Sequence, residues 1–154
     1  MIRVNRRSFL ILLGAVGLMT SRADARDENL AVIVHPTTDV SRLSDVQLEA
    51  IFLTERRYWS GTDAIIAFNL APHSGERVYF DQTVLRMDSE AVGRFWRDRR
   101  VRSGAPPPRQ VPDPLTVVRL VGRLRGAIGY VPESMVANDV RVVARIRNGK
   151  VIPP

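Results

Sequence analysis

The chain has 154 residues, 45% hydrophobic and 25% charged, with a formal net charge of +7. That length suits one domain with a core of its own, burying roughly two thirds of its unfolded surface. With no cysteine, disulfide scaffolds and thiolate metal sites are excluded, and the basic balance admits an anionic partner.

The first segment, "MIRVNRRSFLILLGAVGLMTSRADA", is not fold. Arg3, Arg6 and Arg7 precede an apolar run from Phe9 to Met19, and Ala23-Asp24-Ala25 follows. That is the order of a secretory signal: basic region, apolar region, small-x-small cleavage site. The run is short for a bilayer span, so an uncleaved anchor is the weaker reading. "NRRSFLI" resembles the twin-arginine export signature, and ordinary secretion is the alternative. The expectation is a signal peptide over residues 1–25, cleavage near Ala25, a periplasmic or secreted product, and a single domain over 26–154. The leader holds four arginines and one aspartate, so much of the basic excess leaves with it. Nearly all the remaining positive charge is arginine; Lys150 is the only lysine.

"AVIVHP" (Ala31 to Pro36) is a β-branched apolar run stopped by proline, which predicts a buried strand. "LSDVQLEAIFL" predicts a helix: Ser44 and Gln47 have capping-box spacing, and Leu43, Val46, Ala50 and Ile51 are expected on its buried face. Ser60-Gly61 marks a turn, and "AIIAFNL" (Ala64 to Leu70) a second buried strand. Ser74 opens the next helix, with Phe80, Val84 and Met87 on one stripe. Asp88 or Ser89 caps another, expected to bury Val92, Phe95 and Trp96. "RFWRDRRVR" reads as the solvated face of that helix rather than a nucleic-acid surface. "RSGAPPPRQVP" is an exposed connection that no helix crosses. Asp113-Pro114 is an N-cap and first-turn pair, after which Val117, Leu120, Val121 and Leu124 recur at helical spacing until Gly126. "GAIGYV" and "VRVVARI" predict two more strands, and Asn148-Gly149 a hairpin to "KVI". Strands alternate with helices, which makes the class α/β, with most crossovers long enough for parallel pairing.

Few residues here suggest chemistry. The two histidines, His35 and His73, sit in loop positions, and no metal-ligand spacing surrounds them. "HSGE" lacks the glycine spacing of a nucleophile elbow, so a hydrolase is not expected. The Ser74 helix start is the better signal. Backbone amides at a helix start attract anions. Gly75 lets a ligand approach the backbone, and Arg77 in the first turn can add a charge-assisted fork to an oxyanion. The competing reading is a plain Ser74 cap beside a solvated Arg77.

Several blocks then line up with one family. "AVIVHP", "VSRLSDVQLEAIFLTERRYW", Ser74-Gly75 with Phe80 beyond it, and Gly126-Ala127-Ile128-Gly129-Tyr130 stand in that order. The chain resembles phosphate-type periplasmic substrate-binding proteins of ABC importers, which carry "NP...LT.EQL..IF.G....W", then "SGT...F", then "GAIGY". The resemblance runs from about Ala31 to Val143. It implies a single periplasmic-binding-protein-like lobe, a small mixed sheet flanked by helices, where full members clamp phosphate between two lobes. Carried over by position, it implies an anion site of Ser74, Gly75 and Arg77. Two places depart from the motif. Glu76 replaces the threonine after Ser-Gly and repels an anion there. Leu70 or Ala71 stands where members often have an arginine.

The expected function is therefore a non-catalytic, exported protein of the solute-binding type, without cofactor or metal. It would bind phosphate or a similar oxyanion weakly and serve uptake or sensing. The alternative is an interaction module of the envelope that has lost its ligand. Such a module would meet a transporter or sensor protein, or a second copy of itself.

Overall fold

The computed structural model describes residues 29–154. The expected leader and its cleavage near Ala25 lie outside the described residues.

Six strands form one sheet in the order β3-β2-β4-β1-β5-β6. They are β1 (Leu30–Val34), β2 (Ile66–Asn69), β3 (Arg109–Gln110), β4 (Ala127–Pro132), β5 (Arg141–Arg147) and β6 (Lys150–Ile152). The helices are α1 (Asp45–Phe52), α2 (Gly75–Phe80), α3 (Ser89–Ser103) and α4 (Pro114–Arg123). The class is the α/β one expected. The crossovers are long enough for more parallel pairs than form: β2 is parallel to β4 and β3, while β1 is antiparallel to both β4 and β5. Loop length permits parallel pairing but does not impose it. Here β4 inserts between β1 and β2 and takes opposite senses on its two sides.

All five residues of β1 are buried, as expected for an unbroken apolar run with a strand on either side. Neighbouring residues of β4 serve opposite faces of the sheet. A Cβ on Gly129 would come 2.4 Å from Cγ1 of Val117, so the glycine lets α4 lie directly on the strand. The next residue, Tyr130, stacks on Phe80 with ring centroids 3.9 Å apart and meets Phe52 at 5.8 Å. Helix α4 thus covers one face, and α1 and α2 cover the other. Each fully buried aromatic side chain of that second face contributes roughly 2 kcal/mol by removal from water.

The helix ends follow their local chemistry. In α1 the Ser44 hydroxyl accepts from Gln47 N, and the Gln47 side chain accepts from Ser44 N. Its inward face differs from expectation. Ile51 is buried as expected, but Val46 is 65% exposed, and Leu48 and Phe52 are buried in its place. The helix begins only at Asp45, so Leu43 precedes it and is buried by the loop, where its amide donates to the Val143 carbonyl.

Helix α2 passes into a π-helical turn, Asp81–Leu85, which ends at Arg86 in a left-handed conformation. Phe80 and Val84 are buried as expected. Asp88 caps α3. Val92 is buried, whereas Phe95 and Trp96 are only half-buried and meet edge-on at 5.0 Å. Asp113 caps α4 with Pro114 in its first turn, and Val117, Val118 and Val121 are its buried residues. Leu120 and Leu124 are half-buried.

Strand β3 was missed. It is two exposed residues on the sheet edge, straight after three prolines, too short for any periodicity to register. Asn148 and Gly149 both have positive φ, 51° and 67°, as the tight hairpin between β5 and β6 requires.

Candidate functional site at the carboxyl ends of the parallel strands

Strands β3, β2 and β4 run the same way, so the loops that follow them emerge at one edge of the sheet. Ligands of open α/β sheets bind outside such carboxyl ends. β2 leads through Leu70–His73 into α2, and β3 leads through Val111 and Pro112 to Asp113 and α4. The Val111 amide donates to the Asn69 carbonyl at 2.8 Å and joins the two loops.

Ser74 is the N-cap of α2, and its hydroxyl accepts from Arg77 N at 3.2 Å. Val78 N donates to the Ser74 carbonyl at 3.0 Å. Within the described residues the amides of Gly75 and Glu76 find no acceptor. Those two N–H groups lie side by side at the positive end of the helix. The Glu76 side chain stands in the same first turn. No hydrogen bond among the described residues joins Ser74 to a histidine. His73 is exposed, and Nδ1 of His35 lies 2.8 Å from the Thr37 hydroxyl.

Arg77 is brought to the same turn but faces inward. It is 7% exposed. Its Nε donates to Asp81 Oδ2 at 2.6 Å, and a terminal nitrogen donates to the Leu70 carbonyl at 3.1 Å. The open fork expected for an oxyanion is therefore turned to the protein's own groups. Burial pushes the Asp81 carboxyl up from its usual range, against the pull of Arg77. Its second oxygen has no partner among the described residues.

The loop is gripped from the other side by Tyr130. The phenol donates to Asn69 Oδ1 at 3.1 Å and accepts from Leu70 N at 3.4 Å. Burial raises the Tyr130 pKa, which keeps the phenol a neutral donor. The Leu70 peptide is thus held at its amide by Tyr130 and at its carbonyl by Arg77. Sequence reading named neither Asp81 nor Tyr130 here. The four-residue spacing of Arg77 and Asp81 on one helix was the available signal for the first. Nothing local marked Tyr130, whose neighbours lie 60 positions back in the chain.

No protein-family model matches the chain, and no curated protein matches its sequence. Solved structures do. A phosphate ABC transporter substrate-binding protein with bound phosphate from Clostridium perfringens is 22% identical with a TM-score of 0.61, over 75% of this chain and 44% of that one. An ABC-type phosphate transport receptor from Vibrio cholerae is 22% identical with a TM-score of 0.60, over 75% and 45%. PstS from Borrelia burgdorferi is 18% identical with a TM-score of 0.58, over 74% and 46%. At these identities the likeness is one of fold. The described residues have the architecture of one periplasmic-binding-protein-like lobe, and the chain spans less than half the length of the proteins it matches.

Proposed function

We propose that this lobe is of the solute-binding type, exported, non-catalytic, and takes phosphate or a similar oxyanion at the start of α2. The observation that carries the reading is the pair of unclaimed amides, Gly75 and Glu76, at the edge where the parallel strands end. The Ser74 hydroxyl borders them, and the lobe shares its fold with proteins described as phosphate-binding. Arg77 acts as a positioning residue: through the Leu70 carbonyl it fixes the loop that presents Ser74 and Gly75. The Glu76 carboxylate opposes an anion at close range and keeps affinity low. Transport or sensing through an envelope transporter or sensor protein is the role such a lobe would serve.

The test is a phosphate titration of the folded protein followed by its melting temperature. A ligand that binds only the native state raises Tm along a saturable curve. Gly75→Pro removes one of the two amides, and a proline suits the first helical position. The expected result is a phosphate-dependent rise that Gly75→Pro abolishes and Glu76→Gln strengthens severalfold. A flat curve up to about 10 mM phosphate, where a millimolar Kd would already show, overturns the reading.

The inward turn of Arg77 favours a second reading, in which the lobe has kept its scaffold and lost its ligand. It would then bind an envelope protein or a second copy of itself through the same edge. A flat titration together with a dimer by light scattering selects self-association.

A further inference from the structure

A second hollow lies away from the Ser74 edge, between the end of α1, the approach to β2 and the three prolines before β3. Its volume is about 370 Å³, within the range of small-molecule sites. Ile51, Ile66 and Pro107 give it apolar walls, and Tyr58, 54% exposed, stands at its rim. Arg56, Arg57 and Arg109 also line it, and no carboxylate does. Arg56 is committed to the carbonyls of Tyr58 and Trp59. Arg57 uses only Nε, on the Thr54 carbonyl at 3.3 Å. Arg109 makes no side-chain hydrogen bond or ion pair with the described residues. Two exposed guanidinium groups therefore border an apolar hollow with their terminal nitrogens unclaimed.

Thr54, also in the lining, stands just past the end of α1. It has φ of 58°, an outlier for a β-branched residue. Its amide is tied to Ile51, and the Ala50 carbonyl accepts from both Glu55 and Arg56. Its hydroxyl is buried and finds no partner among the described residues. The left-handed residue just past the helix, with the Thr54 amide on Ile51 and the Glu55 amide on Ala50, is the usual closure of a helix end, and it sets the wall of the hollow in place.

We infer that this hollow binds a small amphipathic carboxylate, its apolar body against Ile51, Pro107 and the Tyr58 ring and its charged end between Arg57 and Arg109. Inorganic phosphate has no apolar part to fill such a volume. A neutral apolar molecule leaves both arginines unpaired. A planar guanidinium fork matches a carboxylate.

The probe is 4-phenylbutyrate, titrated into the full chain by calorimetry, with 4-phenylbutan-1-ol as its uncharged counterpart. The expected result is saturable carboxylate binding at least about tenfold tighter than the alcohol, the difference made by one charge-assisted contact. Arg57→Ala and Arg109→Ala should each weaken the carboxylate about tenfold and leave the alcohol unchanged. Both side chains are exposed, so unaltered melting temperatures will show that the variants fold. Gly75→Pro should leave 4-phenylbutyrate binding intact, and phosphate should not compete, which separates this site from the α2 start. Equal affinity for acid and alcohol, indifference to both arginine substitutions, competition by phosphate, or no binding would each overturn the inference.

Discussion

Arg77 is the residue whose role changes most between sequence and structure. A first-turn arginine beside Ser-Gly reads as a hand held out to an anion. Once buried, it must satisfy its charge at home, and Asp81 one turn later does so at 2.6 Å. Cutting one partner from a buried pair is costly because the other charge stays behind. Arg77→Ala should therefore destabilise the fold by about 3 kcal/mol at pH 7. Without Arg77, burial alone acts on Asp81 and raises its carboxyl further. An acid whose native pKa lies above its unfolded value favours folding while protonated, and that contribution is lost as pH rises through the native value. The deficit of Arg77→Ala should accordingly be smaller at pH 4 than at pH 7. Urea midpoints of both proteins at the two pH values will show it.

At the scale of elements, two joints are open to the same treatment. Glu133 follows β4 and bonds to Arg147 and Arg145 of β5. The Arg147 hydrogen bonds, then its charge and that of Arg145, hold the Glu133 carboxyl below its usual range despite some burial. The sign is opposite to that of Asp81: the contribution is present above the unfolded pKa and is lost as pH falls through the native one. Glu133→Gln should lower the urea midpoint at pH 7, with the deficit shrinking below about pH 4. The second joint is α4 on β4. A methyl on Gly129 would meet Val117 at 2.4 Å, and because the next atoms belong to a packed helix, Gly129→Ala should cost about 2 kcal/mol. Thermal unfolding measures it directly.

These elements also show what sequence could yield. Caps at Ser44, Ser74 and Asp113, and the Asn148-Gly149 turn, are decided within four residues, and each was legible. The buried face of α1 was legible only in part: Leu43 and Ile51 are buried as expected, while Val46 is exposed and Leu48 and Phe52 turn inward. β3 was invisible, since two exposed residues acquire strand character only from the β2 they lie beside. The candidate site divided in the same way. The Ser74 cap and the Gly75 approach are local; the burial of Arg77 depends on Tyr130, Asn69 and the loop around Leu70, which meet only in the folded lobe.

For the whole molecule, the lobe carries two proposed sites of opposite design. The start of α2 offers backbone donors and no fork; the Thr54 hollow offers forks and an apolar wall. A phosphate response cancelled by Gly75→Pro and a 4-phenylbutyrate response weakened by Arg109→Ala, each indifferent to the other substitution, would establish them as separate.

The position of β1 has a consequence for how the chain reaches this state. Its residues pair on both sides with strands roughly 100 positions later, a separation typical of slow folders. Among the described strands, the first to leave the ribosome is thus the last to be sealed, and it must wait, apolar and unpaired, until β4 and β5 have been made. During that wait its exposed edges invite association, so a holding chaperone would meet a real need of this topology.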